Sequence, residues 1–463
     1  MICTRKLSYH CRGEDGKVVW QQYGRVRTTC AYAQRKEASM VYTVDSKNKP
    51  LSPCRNRTAR WLVKNNRAKC IKREPFTIKL KHEGTREIPE LTLGIDTGSD
   101  KIGSAVVDEE NSVLYVSEVQ VRNDITEKMK QRAKYRRNRR NRKTRYRKAR
   151  WQNRRNSIRT DRFSPTMRSK IESHLKEIKF ARSILPISEV IIETGTFDAH
   201  AMKNPAVLEN KWLYQRGANY GYANTRAYVL DRDGYACQQC RGKSKDRRLE
   251  VHHIQFRSEQ GSDEAENLVT LCKACHDKVH DSTIKLNAKG RTKGTLRHAT
   301  QMNSIRVQLL KSIPCKETFG FITKEHAWAM GLEKTHYNDA IAIACLGNIE
   351  RNGSVGCGFA TDRVLLKKCV ADGDCQQTKG ARSEQPIQTG KIQGFRKFDK
   401  VRYNGDEYFI KGRMSTGYAI LMDIEGNKQE LKPIPKLNQM ERISARKSWV
   451  VQERRFAAIH PAT

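Results

Sequence analysis

The sequence predicts an α/β protein in which a small cysteine- and histidine-bearing module interrupts a larger domain of strands and helices. Three observations predict it. Apolar, strand-like runs at 91–96 and 190–193 each end in an acid, Asp96 and Glu193. Two CxxC pairs, Cys237/Cys240 and Cys272/Cys275, fall within residues 226–280. Between the two acids, residues 128–155 hold 16 Lys or Arg among 28 residues and no acid.

The 463 residues allow several domains and at least one sizeable core. Lys and Arg number 90 against 50 acidic residues, a formal net charge of +40. That excess suits long contact with a phosphate backbone, where each neutralised phosphate releases a counterion. No membrane partner is expected: no run approaches the roughly 18 apolar residues of a span, and no amphipathic anchor or lipidation signal accompanies the charge. Of 14 cysteines, four sit in the CxxC pairs and ten are scattered. A secreted disulfide scaffold would be shorter and denser in Cys, so a reducing compartment and one four-thiolate metal site are expected.

Residues 1–39 carry Arg, Lys and Cys with little apolar periodicity and no apolar signal core. They read as a targeting extension or as upstream sequence, outside the fold argument. Residues 40–90 form a small mixed domain: VYTVD alternates like a strand, NKPLSP turns, and RTARWLVKNNRAKCI reads as a basic helix. Residues 91–127 are strand-rich, through LTLGIDTGS, KIGSAVVDEE and SVLYVSEVQV. Residues 128–160 lack Gly and Pro over 128–155, which permits a continuous helix of roughly 40 Å at about 1.5 Å per residue. A basic tail that stays unfolded through like-charge repulsion is the alternative.

Residues 161–222 supply a helix near 166–185 and the strand SEVIIETGTFD; 223–285 hold the cysteine and histidine cluster; 286–368 end in an apolar helix beginning near Asn338. Residues 369–392 are a Gly-, Gln-, Ser- and Lys-rich linker. Residues 393–463 alternate with turn residues at Asn404–Gly405, Thr416–Gly417 and Glu425–Gly426, the pattern of a small β-barrel.

The cysteine spacing is that of a structural zinc site, and a plain zinc ribbon would show it too. What lies between the pairs argues for more. His252 and His253 end a strand-like LEV, so one faces a metal and the other the opposite side. Asn267 follows in a loop. His276 and His280 stand four apart on a helix and share a face. This ordered set resembles the ββα-metal site of HNH endonucleases. The resemblance implies that His253 is the general base, that His252 and His276 hold one Mg²⁺, that Asn267 orients the base, and that His280 is a third ligand; a solvated helix His is the alternative for His280.

GIDTGS alone is a weak signal, since actin-like ATPases and aspartic proteases use similar runs and an Asp after a strand is often a turn former. HYNDAIAIA places His336 and Asp339 three apart at a helix start. Asp96, Glu193 and Asp339 with His336 are able to hold two Mg²⁺ about 3.5–4 Å apart, the arrangement that stabilises attacking and leaving oxygens in phosphodiester hydrolysis. An ATPase would want a further Gly-rich phosphate loop, and none is seen. These three pieces resemble RuvC motifs, with the HNH module between the second and third. Without that module, the remainder reads as one RNase H-like domain.

The whole order resembles IscB, the transposon-associated RNA-guided nucleases regarded as ancestral to CRISPR type II effectors, over about residues 40–350. Pro50-Leu51-Ser52-Pro53 stands where those proteins carry Pro-Leu-Met-Pro, and the 1–39 extension is atypical of them. The resemblance implies a noncoding guide RNA (ωRNA), a double-stranded DNA target, and a monomeric protein within a ribonucleoprotein in a prokaryotic, nucleoid-associated cytoplasm, unless 1–39 is a targeting peptide. It implies that HNH cuts the guide-paired strand and RuvC the displaced strand, and that the C-terminal segment reads a target-adjacent motif. Residues 128–160 become the bridge helix, with Arg136, Arg137, Arg139, Arg140 and Arg142 as contact candidates. A protein-guided homing or junction-resolving endonuclease, or an inactive nucleic-acid-binding relative, is the competing expectation.

Overall fold

A computed structural model describes residues 8–12, 18–22, 40–83, 89–140, 163–217, 219–244, 246–259, 261–286, 296–353, 356–371, 375–376, 385–386, 391–414 and 416–455. The chain divides into two compact units, one of residues 1–195 with 305–463, the other of 196–304. The inserted unit is therefore wider than the 223–285 expected from the cysteine cluster.

The first unit is built on an eight-stranded sheet: β1 (Leu91–Asp96), β2 (Lys101–Val107), β3 (Ser112–Gln120), β4 (Ile187–Thr194), β5 (Lys316–Phe319), β6 (Gly358–Phe359), β7 (Arg363–Cys369) and β8 (Trp449–Arg455). Its order is β5-β4-β1-β2-β3-β7-β8, with β6 pairing β3. Strands β1 to β3 are an antiparallel meander. Strand β4 joins β1 in parallel, β5 joins β4 in parallel, and β7 joins β3 in parallel. Every residue of β1 is buried, as continuous apolar runs in two-sided sheets require.

Four helices of this unit bear on the argument: α1 (Ile125–Arg140), α2 (Pro165–Arg182), α3 (Gly320–Ala329) and α4 (His336–Asn352). Helix α4 carries Ala340, Ile341, Ala342, Ala344 and Cys345, all fully buried, into one cluster with Ala105, Val107, Val113 and Val116 of the sheet. Two glycines set how closely it docks. A Cβ on Gly94 of β1 would lie 2.3 Å from Ala340 O, and one on Gly103 of β2 would lie 1.8 Å from His336 O. Thr335 caps the helix by accepting from Asn338 N at 3.2 Å, and Gly353, at φ 64°, ends it.

Helix α1 begins at Ile125, before the expected start, and is described to Arg140. Arg136 and Arg137 are exposed on it; Arg136 lines an open groove with Thr126, Met129 and Pro165. Arg139 and Arg140 are its last described residues, and Arg142 with the rest of the expected bridge helix lies outside the described residues.

Residues 40–83 form a four-stranded sheet with one helix, Asn56–Lys64. The expected basic helix stops there, and Ala68–Lys72 is a strand paired to Thr77–Leu80, because Ala68 is needed in the core with Val41 and Ile78. Near the C-terminus, Lys400–Tyr403, Asp406–Arg413, Ala419–Met422 and Glu441–Ser444 form an open antiparallel sheet around Val401, Ile410 and Leu421, where a barrel was expected. The segment 393–463 is also not self-contained: β8 leaves it to pair with β7 at the edge of the large sheet. Residues 1–39 contribute one described hairpin, Ser8–Arg12 with Val18–Gln22. Among the described residues no helix is long and apolar enough to cross a membrane.

Candidate metal centres

In the inserted unit, the strands Leu249–His253 and Leu268–Cys272 pair antiparallel, and the helix Lys273–His280 follows directly. The strand places His252 and His253 on opposite faces, as two-residue alternation demands. His252 is buried, with 3 % exposure, and neither ring nitrogen has a hydrogen-bond partner. The helix brings His276 and His280 to it: all three imidazoles present a nitrogen within 4.8 Å of the others. Burial, and then the two neighbouring imidazoles, push His252 down to about 4. It is a neutral ring with free lone pairs. A buried orphan imidazole facing two others costs free energy unless something fills the gap, and a divalent ion fits that donor set. His276 Nδ1 lies 3.3 Å from Glu250 Oε2, without hydrogen-bond geometry.

His253 is turned away from this cluster and its Nε2 is 2.7 Å from Asp263 Oδ1. Arg257 Nε donates to the same oxygen at 2.7 Å. The bond from His253, then the one from Arg257, hold the Asp263 carboxyl below its ordinary range. Donation from Nε2–H to this carboxylate leaves Nδ1 able to take a proton. Asn267 plays a different part from the one expected. Its side chain accepts from Gln255 N at 2.9 Å and donates to the carbonyls of Gln255 at 3.1 Å and Ser262 at 2.8 Å. Asn267 closes the loop; Asp263, which that loop carries, holds the base. The signal for Asp263 was an acid ten residues after the His pair in a turn-rich stretch, too common a feature to single out from sequence.

The sulfurs of Cys237, Cys240, Cys272 and Cys275 also lie within 4.8 Å of one another, three of the residues buried. Cys240 and Cys272 Sγ are 3.8 Å apart. A tetrahedral zinc with Zn–S of about 2.3 Å requires an edge of about 3.8 Å, so the four thiols fit that ion and leave no open position on it. The cluster packs with Val269, Leu271 and Val279, tying strand to helix.

In the first unit, Asp96 and Glu193 end adjacent parallel strands and are register partners. Thr97 Oγ1 donates to Glu193 O at 2.6 Å, binding the two strand ends. Helix α4, seated on the two glycines, brings His336 and Asp339. Asp96 and Asp339 are 7 % and 3 % exposed. His336 Nδ1 donates to Asp96 Oδ2 at 2.7 Å, which raises the imidazole above its ordinary value. Lys334 Nζ donates to Asp339 Oδ2 at 2.5 Å; burial opposes its charge, but the bond and the three acids raise its pKa. Glu193 is pushed up by burial, opposed by a hydrogen bond from Thr323, and pushed up further by Asp96 and Asp339. The structure thus brings together all four expected residues and adds Lys334 and Thr323. The three carboxylates do not close to the 4.8 Å spacing of the cysteine and histidine clusters. Asp96 and Asp339, which push up Glu193, form with it a donor set for hard divalent cations.

Two family models match parts of the chain. Residues 237–282 match the HNH endonuclease family, and residues 41–217 match the RRXRR protein family. The chain carries an HNH endonuclease domain. A short stretch of 68 residues, 15 % of the chain, is 29 % identical to 87 % of anaredoxin from Nostoc sp. (strain PCC 7120 / SAG 25.82 / UTEX 2576). Among solved structures, Streptococcus thermophilus Cas9 in complex with the AGAA PAM aligns with 56 % of this chain and 32 % of its own, at 11 % identity and a TM-score of 0.30. The same protein with the GGAA PAM aligns with 49 % and 32 %, at 13 % identity and a TM-score of 0.27. The chain thus spans about a third of the length of those structures.

Proposed function

We propose that this protein is an RNA-guided DNA endonuclease of the IscB kind, with two hydrolytic centres and a guide RNA of the ωRNA type. The observation that carries the nuclease reading is the His252–His276–His280 cluster with a carboxylate-held His253 beside it, within the matched HNH domain.

In the HNH centre His252, His276 and His280 would hold one divalent ion, which supplies positive charge to a phosphate when bound. His253 takes the proton of the attacking water at Nδ1, while Asp263 fixes the ring and stabilises the imidazolium that results. In the acid centre Asp96, Glu193 and Asp339 would hold two Mg²⁺, whose charge would favour loss of a proton from the attacking water and stabilise the sugar oxygen that leaves the phosphodiester. Lys334, which donates to Asp339, would yield that oxygen to the ions, and His336, which donates to Asp96, is assigned the proton given to the leaving oxygen. The four cysteines would hold Zn²⁺ as scaffold. HNH is assigned the guide-paired strand and the acid centre the displaced strand. Arg136, Arg137, Arg139, Arg140 and Arg142 are assigned to backbone contact on the RNA–DNA heteroduplex. The ribonucleoprotein is assigned one protein copy and a nucleoid-associated, cytoplasmic setting.

The test begins with protein purified from its own locus expressed intact, with bound RNA sequenced. A discrete long RNA is expected, and target DNA is then cut on both strands. His253→Ala is expected to spare one strand and Asp96→Ala the other. RNA-free protein that cuts a fixed site or a junction supports a protein-guided nuclease instead. Unchanged cutting of both strands in either variant refutes the two-centre assignment.

A further inference from the structure

Strand β5 and helix α3 meet at Phe319-Gly320-Phe321, against the acid centre. Strand β5 pairs with β4 so that Thr318 is the register partner of Glu193 and Phe319 that of Thr194. Thr318 is buried, and Phe319 turns outward at 37 % exposure. Phe321 is 66 % exposed. The two rings are parallel to within 4°, their centroids 6.3 Å apart. A Cβ on Gly320, between them, would lie 3.0 Å from Glu193 Oε1. Thr323, which hydrogen-bonds the Glu193 carboxylate, lies with its Oγ1 3.5 Å from Phe319 O. One short turn therefore carries two bare aromatic faces and touches the carboxylate of the centre.

We propose that Phe319 and Phe321 form a nucleobase-stacking subsite beside the Asp96–Glu193–Asp339 centre, which takes an unpaired base of single-stranded nucleic acid next to the bond to be cut. This rests on the reading of that centre as a phosphodiester-cleaving site. Phe321, 66 % exposed, leaves most of its ring in water, and that ring lies parallel to the less exposed ring of Phe319. The immediate neighbour is the carboxylate of Glu193, one of the three acids of the centre, which repels any anionic group not bridged by a cation. A neutral aromatic plane is tolerated there, and a phosphate is tolerated only at the ions. A base flanked by its own phosphate meets both demands. Bases inside a duplex already stack on each other and have no face to offer, so the subsite selects an unpaired strand. Stacking on Phe is tolerant of sequence, which suits a site that does not choose the sequence it cuts.

The test uses the full chain in the Asp96→Asn background, so that binding is read without cutting. The probe is a mixed-sequence single-stranded oligodeoxynucleotide, compared with one of the same length whose central residues are abasic. Measurement at elevated salt weakens the many backbone contacts expected of a +40 chain. Phe321→Ala is expected to weaken the ordinary probe roughly 5- to 150-fold, the range that 1–3 kcal/mol of base–aromatic stacking gives at about 1.4 kcal/mol per tenfold. The abasic probe is expected to bind wild-type and variant alike, and Phe321→Trp to restore the ordinary probe. Equal weakening of both probes, or no weakening of either, overturns the subsite. Failure of the nuclease reading shows separately: the chain with Asp96 intact cuts nothing, whatever Phe321 binds.

Discussion

Removing the charge of Lys367 is expected to cost this protein about 3–5 kcal/mol, through the group it leaves behind. Lys367 of β7 and Glu177 of α2 are both fully buried. The ammonium lies 2.8 Å from each carboxylate oxygen. Ser104, Tyr115 and Ser117 donate to Glu177 Oε1 at 2.8, 2.7 and 2.9 Å. Phe180 and Trp449 close the space, their ring centroids 4.0 and 5.0 Å from Nζ. Burial pulls Lys367 down to about 8, so at pH 7 the pair is charged. In Lys367→Met the carboxylate keeps three hydrogen bonds and loses its cation. Burial then dominates, and the folded-state pKa of Glu177 rises above its unfolded value. A carboxylate raised in this way contributes stability below its unfolded pKa and loses it as pH rises. The variant's deficit therefore shrinks on going from pH 7 toward pH 5, by at most about 1.4 kcal/mol per unit. In Lys367→Met with Glu177→Leu no charge is buried, and most of the loss is expected to return. The assay is guanidinium unfolding of the wild type, the single variant and the double variant at pH 7 and pH 5. A single-variant loss below about 1 kcal/mol, or a deficit that does not change with pH, refutes this account of the network.

Two further outcomes follow from the geometry. Stripping zinc with a chelator, or Cys272→Ser, is expected to loosen the segment 237–282, because the four cysteines sit within its apolar cluster and tie the strand to the helix; hydrogen exchange in 268–280 would quicken, and unchanged protection would count against a structural metal. Gly103→Ala puts a methyl 1.8 Å from His336 O and so lifts α4, with His336 and Asp339, off the sheet; cutting by the acid centre is expected to fall more than tenfold while the HNH cut persists, and a nicking pattern like wild type would show that α4 docks less strictly.

Much of this arrangement was legible in the sequence, and the reasons are local. The CxxC spacing and the i, i+4 pair at 276 and 280 specify ligand geometry within one turn or one hairpin, so residue order alone predicts convergence. Asp96 and Glu193 were legible because buried parallel strands are continuous apolar runs, whose end shows as the first acid. What escaped depends on how loops close and on contacts between distant segments. Lys334 looks like an ordinary surface lysine until Asp339 is folded against it. The exchange of roles between Asn267 and Asp263 depends on how one loop closes. Gly94 and Gly103 each stand in an unremarkable strand, and only the 2.3 Å and 1.8 Å approaches of α4 explain them. The departure of β8 from the C-terminal segment is a pairing across eighty residues, which no periodicity encodes.

The two centres handle charge in opposite ways, and this separates the ions they would take. The acid centre has three carboxylates already countered by His336 and Lys334. Oxygen donors with net negative charge suit a hard, strongly hydrated ion, and Mg²⁺ meets that need. The HNH centre offers three imidazoles, with Glu250 beside His276. Imidazole nitrogen prefers Mn²⁺ through Zn²⁺ in the usual order of rising affinity, and Mg²⁺ least. With protein that keeps the zinc of its four cysteines but is freed of its other divalent ions, and either Mg²⁺ or Co²⁺ at micromolar concentration, the nick that depends on His253 is expected to need far less Co²⁺ than Mg²⁺. The nick that depends on Asp96 is expected to show much the weaker preference. His276→Asp adds a carboxylate to the imidazole set and is expected to shift the first nick toward Mg²⁺. Identical metal titrations for the two strands would mean that donor chemistry does not set the ion at either centre, and would undo the assignment of three imidazoles as the ligands of one.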